Sequence, residues 1–177
     1  MLGFKQLLIA VIALPLCALV IVMLSGTPIS ERHHLHHDTY SVSLVVSRTF
    51  VLVMVFMGVV GGLVGWLCHL GVFSADPLVP LAFFLSFQLT LLLMLAAVMR
   101  YQVMAYDDEL LVRPPFGRTK TIPYGRIDRM EWIPSFLGPH LHDLRITTTR
   151  GVTARIWCLL DIEQILLRID RFDTMSG

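Results

Sequence analysis

The densest group of potential metal ligands lies in one short polar segment. Four histidines and two acidic residues occupy eight consecutive positions, Glu31-Arg32-His33-His34-Leu35-His36-His37-Asp38. Imidazole and carboxylate groups suit borderline divalent metals such as Zn²⁺, Ni²⁺ and Cu²⁺. On a helix, His33 and His37 would share one face. The H-E-x-x-H pattern is absent, so two interpretations stay open: a metal-handling loop and, favoured here, a solvated polar loop.

Other reactive side chains do not form a recognisable catalytic set. His140, His142 and Asp143 make a loose grouping that a turn before a strand explains. The sequence has no Ser/His/Asp spacing typical of nucleophilic catalysis and no glycine-rich phosphate loop. The cysteines form no C-x-x-C pair and no evident disulfide framework; they are Cys17, Cys68 and Cys158. The sequence therefore predicts neither an enzyme nor a bound cofactor.

The composition requires a lipid environment for part of the chain. Of 177 residues, 55% are hydrophobic and 15% charged, and the mean hydropathy is +0.72, which is too apolar for an ordinary soluble domain. Only six charged side chains precede Arg100. This asymmetry predicts a transmembrane unit over residues 1–99 and a polar domain over 100–177. Neither half is basic enough to indicate nucleic-acid binding.

Three runs without a formal charge have the length of membrane spans, at 6–25, 49–73 and 78–99. About 20 residues of helix cover the roughly 30 Å hydrocarbon core. Helices are expected because lipid offers no partner for backbone polar groups. The first run exceeds a signal-peptide core and lacks an A-x-A site, so we interpret it as a retained span, with a kink at Pro15. The polar loop 26–48 joins the first two spans.

Small residues in the second span predict a close helix contact. They make two overlapping small-xxx-small pairs, Gly58 with Gly62 and Gly61 with Gly65. Such a face can serve dimerisation or the docking of a partner. Alternatively, it packs against the first or third span of the same chain, and we favour this second interpretation. Gln88 in the third span is expected to hydrogen-bond between helices.

The flanking basic residues predict the orientation. If the C-terminal domain lies in the cytoplasm, Lys5 lies outside. Four flanking basic residues then lie inside, namely Arg32, Arg48, Arg100 and Arg113. The positive-inside rule therefore places the N-terminus outside and the C-terminal domain in the cytoplasm.

From residue 101 onward the pattern changes to short strands. The predicted strands cover 102–106, 109–112, 118–122, 127–132, 143–149 and 152–157, with Gly151 supplying the last turn. Leu144, Ile146 and Thr148 should share the buried face. The segment 132–138 is expected to be an apolar loop that either dips into the membrane interface, meets a partner or folds over the core. A closing amphipathic helix should begin after Asp161 as N-cap. The fold class is thus three transmembrane helices plus an α+β domain of antiparallel strands and one terminal helix.

The order of these segments resembles the bacterial pleckstrin-homology (PH) domain of small membrane-anchored proteins. The resemblance covers 101–172, and its most telling parts are Ile122-Pro123-Tyr124-Gly125-Arg126-Ile127 and the helix from Leu160-Asp161-Ile162 onward. It implies a PH-like binding or scaffolding module in the bacterial inner membrane. In lipid-binding PH domains, basic residues near the first hairpin loops contact anionic headgroups. The positions that could take a headgroup or partner contact here are Arg113, Arg118, Lys120 and Arg126, with Trp132 and Phe136 from the apolar segment.

Two functions follow as hypotheses. The leading one is a membrane-anchored scaffold or accessory subunit whose partners are the lipid bilayer and another membrane protein or a second copy of the chain. The other is a metal-handling membrane protein that uses the loop from His33 to Asp38.

Overall fold

The computed structural model describes residues 2–24, 32–34, 37–170 and 174–176. Contacts divide the chain into two units. The first unit combines Met1–Thr27 with Leu44–Val98, and the second combines Pro28–Ser43 with Met99–Gly177. The loop between the first two helices therefore belongs to the same unit as the C-terminal domain, which the sequence-based division did not anticipate.

Three long apolar helices make up the first unit. They are α1 (Leu2–Leu24), α2 (Leu44–His69) and α3 (Leu78–Arg100). Each is long and apolar enough to cross a membrane, as the sequence predicted. Helix α2 begins five residues earlier than the charge-free run and ends at His69, because Gly71 takes a positive φ of 75° and Val72 N–H donates to Leu67 O in a Schellman turn.

A proline and a glutamine meet at the centre of this helix bundle. Pro15 has no N–H, so the carbonyl of Val11 lacks its usual donor within α1. Gln88 Nε2 of α3 donates to Val11 O at 3.0 Å, and the Gln88 side chain is fully buried. The expected interhelical hydrogen bond of Gln88 is thus present, and α1 stays one continuous helix through Pro15.

All four glycines of α2 that the sequence singled out face the chain's own helices. A Cβ on Gly61 or Gly65 would lie within 3 Å of Phe84 or Leu81 of α3. A Cβ on Gly58 would lie 3.0 Å from Pro15 Cγ, whereas one on Gly62 would have its nearest neighbour, Ile12 Cγ1, at 3.7 Å. The structure therefore supports internal packing for this glycine face.

The hydrogen bond from Gln88 to Val11 O, the carbonyl that Pro15 leaves without a donor, can be tested with a double mutant. Replacing Gln88 with leucine should lower the stability of the helix bundle by about 1 kcal/mol, because Val11 O loses its donor in an apolar interior. In a chain that also carries Pro15→Ala, the new N–H at residue 15 can donate to Val11 O. We therefore expect Gln88→Leu to cost clearly less in the Pro15→Ala background, as measured by unfolding in mixed detergent micelles. Equal costs in the two backgrounds would show that this hydrogen bond contributes nothing.

Two antiparallel sheets and one helix form the second unit. The first sheet has the order β1-β2-β3-β4-β5, and its strands are β1 (Arg32–His34), β2 (His37–Ser41), β3 (Gln102–Tyr106), β4 (Glu109–Arg113) and β5 (Lys120–Pro123). The second sheet has the order β8-β7-β6-β9, and its strands are β6 (Ile127–Ser135), β7 (Gly138–Thr148), β8 (Thr153–Ile156) and β9 (Met175–Ser176). A 3-10 turn, Tyr124–Arg126, connects β5 to β6.

The expectation of a loop between the first two spans has to be corrected for residues 32–34 and 37–41, which form strands. Strand β2 pairs along its whole length with β3, from His37 opposite Tyr106 to Ser41 opposite Gln102. Tyr40 is buried in this sheet, and Val42 follows it into the interior. Arg168 binds Asp38 at 3.3 Å. Residues 37–41 of the loop are thus the second strand of the first sheet, and tertiary pairing rather than hydrophobic alternation determines their conformation.

The C-terminal strands and helix follow the predicted pattern closely. Leu144, Ile146 and Thr148 are buried while Arg145 is exposed, as the alternation indicated. The turn before β8 contains Gly151 at φ 76°. Helix α4 (Ile162–Ile169) has Asp161 as its N-cap, whose carboxylate accepts from Gln164 N–H at 3.2 Å.

The segment expected to be an apolar loop is mostly strand. Strand β6 continues to Ser135 and β7 begins at Gly138, so only Phe136 and Leu137 form the turn. The pairing register shifts between Pro134 and Ser135. Such a bulge accommodates proline, which has no N–H to donate to the neighbouring strand. The result is a long hairpin with an apolar tip.

Candidate functional site

One end of the second unit surrounds the residue at which α3 ends. Arg100, the last residue of α3, donates from Nη2 to Gly117 O at 3.3 Å. The next residue, Tyr101, is buried, and its hydroxyl accepts from Trp157 N–H at 2.8 Å. Burial raises the Tyr101 pKa well above its usual range, so this phenol stays neutral as a structural partner. We call this end the Arg100 rim; it comprises residues 100–101, the loop 114–119, the hairpin tip 136–137 and Trp157.

Aromatic contacts bring the hairpin tip to the rim. The rings of Tyr101 and Trp157 lie 4.9 Å apart, and Phe136 packs edge-on against Trp157 at 5.3 Å. Phe136 nevertheless remains 66% exposed, and its neighbour Leu137 is 44% exposed. The contact between Phe136 and Trp157 therefore positions the tip, while much of the apolar surface of Phe136 and Leu137 remains exposed to solvent.

A second apolar tip lies at the same end. Phe116, in the loop between β4 and β5, is 77% exposed, and the adjacent Gly117 takes a φ of 97°. The hydrogen bond from Arg100 to Gly117 O fixes this loop beside the start of β3. Phe116 is thus next to the residue that Arg100 binds, and Phe136 is connected to Tyr101 through Trp157.

Three of the four basic residues predicted to contact headgroups or a partner lie near this rim. Arg113 is exposed at the end of β4 opposite Gln102, and Arg118 is exposed in the loop 114–119. Lys120, opposite Val112, donates from Nζ to Thr153 O. Arg126 lies elsewhere, in the turn after β5 at the opposite end of the sheet. The structure therefore brings together Arg113, Arg118 and Lys120 and separates Arg126 from them.

The acidic residues next to β4 occupy the far end. Asp107 and Asp108 form the turn between β3 and β4, about 17 Å from the rim for a strand of five residues. Asp107 binds Arg168 of α4 at 2.8 Å. Burial raises the pKa of the neighbouring Tyr124 to about 12, and its hydroxyl donates to Tyr106 O at 2.8 Å. Exposed Arg113 and Arg118 thus lie at the rim, whereas the other end carries Asp107 and Asp108 together with Arg126 and Arg168.

The root of the hairpin contains a buried carboxylate, Asp143, which the sequence analysis placed at the start of a strand that follows a turn. Asp143 is completely buried and accepts from Arg155 Nε at 2.7 Å and from Cys158 N–H at 3.0 Å. Burial alone would raise its pKa, but hydrogen bonds from the Cys158 N–H, Arg155 and Ser135 outweigh it and hold the pKa of Asp143 below its usual value. Arg155 also donates to Pro134 O at 3.0 Å. These contacts fix the hairpin from which the apolar tip projects.

The remaining predicted site residues are distributed as follows. Trp132 is 39% exposed on β6, opposite Leu144 of β7. Of the four loop histidines, His36 lies outside the described residues. The backbones of the other three lie in strands β1 and β2, where His34 pairs with His37 and His33 with Asp38. Among the described residues, no group of three or more His, Cys, Asp or Glu side chains is placed to hold a metal ion.

Sequence reasoning missed the role of Tyr101 at the rim and the buried Asp143–Arg155 pair at the root of the hairpin. Tyr101 was noted only as the start of the polar domain, although an aromatic residue directly after a span is typical of the membrane interface. The pairing of Asp143 with Arg155 had no signal in the sequence, since twelve residues and a turn separate the two. The chain as a whole is a protein with three helices able to span a membrane and a second unit of antiparallel sheets. Comparison with protein-family models, curated proteins and solved structures gave no match to this chain.

Proposed function

We propose that the protein is a membrane-anchored scaffold or accessory subunit that holds its β-sheet unit at the bilayer surface and binds or stabilises another membrane protein. The observation that supports this proposal is that strands of the second unit come from chain segments that lie between and directly after the long helices. Strand β2 comes from the segment between α1 and α2, and β3 follows directly after α3. The unit is therefore attached at several points to helices able to span a membrane, which suits a module that acts beside the bilayer.

The resemblance to the PH domain is part of this proposal. A full PH barrel has seven strands, and residues 101–172 alone supply fewer. With β2 included, the unit has nine strands in sheets of five and four, and seven of them have four or more residues, namely β2 to β5 and β6 to β8, all of which precede helix α4. Seven strands followed by a helix is the order that the resemblance implies, and a strand contributed from between two spans supports it.

The proposed orientation keeps the sheet unit in the cytoplasm, across a bacterial inner membrane. Pairing of β2 with β3 requires the segment after α1 and the segment after α3 to lie on one side, as three spans allow. Arg32, Arg48, Arg100 and Arg113 then share that side, and Lys5 lies on the other. The positive-inside rule favours the cytoplasm for the side with more basic residues.

A binding role also agrees with how the buried polar groups are used. The carboxylate of Asp143 is occupied by Arg155 and Cys158, and the phenols of Tyr101 and Tyr124 each have a backbone partner. These groups hold neighbouring segments of the unit together. Exposed apolar side chains, by contrast, are available on β6 and β7, where Trp132 and Leu141 are 39% and 44% exposed.

Capture of a partner from native membranes tests this function. The tagged full chain, crosslinked in its membrane and purified in mild detergent, should recover one membrane protein, or a second copy of itself, in a stoichiometric amount. Trp132→Ser should reduce that recovery, while Leu167→Ser, an exposed leucine on α4, serves as the control and should not. Recovery of neither a partner nor a second copy would contradict the scaffold role.

A further inference from the structure

We propose that the groove between α1 and α2 binds a transmembrane helix of another membrane protein, and that this helix carries a carboxylate at the level of Arg48. The inference rests on the proposed scaffold function and deepens it, because it names the surface within the membrane that binds the partner and the chemistry that the partner must have. All the residues concerned belong to the first unit.

Two apolar cavities form this groove, and they join end to end. The first has a volume of about 580 Å³ and lies between the last turns of α1 and the part of α2 from Arg48 to Val55. The second, of about 500 Å³, continues along α2 from Val55 to Trp66. Both cavities are lined by the same two helices, and Val55 borders both. We call this continuous surface the α1–α2 groove.

The length of the groove indicates a helix rather than a lipid molecule. The stretch of α2 from Arg48 to Trp66 is about 27 Å long, at 1.5 Å per residue. This length is close to the roughly 30 Å hydrocarbon core of a bilayer, whereas the acyl chains of one lipid cover only about half of it. A single occupant that fills the groove from end to end is therefore itself a membrane-spanning segment.

The middle of the groove allows another helix to approach closely. Gly58 and Gly62 line it, and small residues at this spacing let two helix backbones come together. A Cβ on Gly62 would have its nearest neighbour in this chain at 3.7 Å, so packing within the chain does not require glycine there. The side chains around it are uncovered, since Val59 is 65% and Leu63 57% exposed. A second helix backbone accounts for glycine at this position.

The charge at one end of the groove determines the chemistry of the occupant. Arg48 is exposed there, and no hydrogen bond or ion pair among the described residues holds its guanidinium. A cation at the edge of the hydrocarbon layer is stabilised by an acidic partner. Helices α1, α2 and α3 contain no Asp or Glu, so a span of a second copy would bring no carboxylate into the membrane. The complementary carboxylate therefore belongs to a helix of another protein.

Photocrosslinking of the full chain in its native membrane identifies the occupant. The photoreactive amino acid benzoylphenylalanine replaces Leu52 in the first cavity or Leu63 in the second, and Leu93, an exposed residue of α3, is the control outside the groove. Mass spectrometry separates lipid adducts from peptide adducts and maps the crosslinked peptide. We expect positions 52 and 63 to crosslink to one membrane-spanning segment that has an Asp or Glu at its end near position 52. Position 93 should crosslink to lipid.

Substitutions test the shape of the groove and its charge separately. Because a Cβ at position 62 has space in the chain's own bundle, Gly62→Leu should fill the groove and abolish both crosslinks. Ala82→Leu, at an exposed position of α3, is the matched control and should leave them unchanged. Arg48→Gln should lower the crosslink yield about tenfold, as expected for a charge pair at the edge of an apolar interface, and Arg48→Lys should retain most of the yield. Arg48→Glu should restore it when arginine replaces the mapped carboxylate.

Other outcomes overturn the proposal in distinguishable ways. Lipid adducts alone at positions 52 and 63 would assign the groove to lipid. A crosslink to a second copy of the chain, or to a segment without an acidic residue, would overturn the chemistry proposed for the partner. If the tagged chain still recovers a stoichiometric partner in these cases, the scaffold function stands and only the groove contact fails. Recovery of no partner at all would contradict both.

Discussion

Replacing Asp143 with alanine is expected to lower the free energy of unfolding of the sheet unit by about 3 kcal/mol. The carboxylate is fully buried and joins Arg155 of β8 and the Cys158 N–H to the root of the β6–β7 hairpin. Its removal leaves a backbone donor and a guanidinium without their acceptor. Because Arg155 is itself 39% exposed, water compensates part of the loss, and we expect the lower end of the range for buried pairs. Hydrogen exchange of the β6, β7 and β8 amides in the full chain measures the effect.

The control for this prediction is the pair of Glu131 on β6 with Arg145 on β7, in the same sheet. Their side chains are bonded at 3.0 Å but are 25% and 45% exposed, so Glu131→Ala should cost less than about 1 kcal/mol. If both alanine variants had the same effect, burial of Asp143 would have no energetic consequence.

The Asp143 carboxyl also gives the unit a defined dependence on pH. Its pKa in the folded protein is lower than the ordinary value of 3.8, so the folded state binds the proton less well than the unfolded state does. The stabilisation is present above that ordinary value and is lost as the pH falls through the lower folded-state pKa. The difference in stability between the wild type and Asp143→Asn should therefore shrink at acid pH.

Replacing Gly61 with alanine should destabilise the helix bundle by about 2 kcal/mol. A Cβ at this position would lie 2.7 Å from Phe84 Cγ and 2.8 Å from Phe84 Cβ. These atoms are close to the backbone of α3, so rotation of the phenylalanine side chain does not relieve the overlap and the two helices have to separate. Unfolding in mixed detergent micelles measures the change.

Gly62 in the same helix is the control for this prediction. A Cβ there would meet Ile12 Cγ1 at 3.7 Å, an ordinary contact distance. Because glycine is unfavourable within a helix, Gly62→Ala should be neutral or stabilising by up to about 1 kcal/mol. Similar destabilisation by both substitutions would indicate that helix geometry, rather than contact with Phe84, determines the role of Gly61.

The sequence was a reliable guide where a single property determines the structure. An apolar run of about 20 residues has only one favourable conformation in lipid, so all three helices could be predicted. The hairpin of β7 and β8 was also predicted, from the alternation of Leu144 to Thr148 and the glycine at 151, but its register differs by one residue: Thr148 pairs with Val152, so the turn has three residues rather than the predicted two. The N-cap at Asp161 followed from local chemistry alone.

The sequence was a poor guide where the partner is distant along the chain. Strand β2 has the sequence His37-Asp38-Thr39-Tyr40-Ser41, which lacks regular hydrophobic alternation, and its partner β3 begins at Gln102. No local pattern predicts such a pairing. Asp143 belongs to a polar run that favours a turn, and only the approach of Arg155 and Cys158 explains its burial. The Arg100 rim could not be predicted either, since it depends on three segments meeting in space.

Residue-by-residue labelling in intact cells tests most directly whether three spans attach a sheet unit containing β2 to one side of a membrane. Two variants, Asp76→Cys between α2 and α3 and Asp108→Cys in the β3–β4 turn, are treated with a membrane-impermeant thiol reagent. The wild-type chain, which has only its native cysteines, gives the background labelling. We expect Asp76→Cys to be labelled in intact cells and Asp108→Cys only after the membrane is permeabilised. Labelling of Asp108→Cys in intact cells, or release of the chain from membranes by alkaline carbonate, would contradict the account.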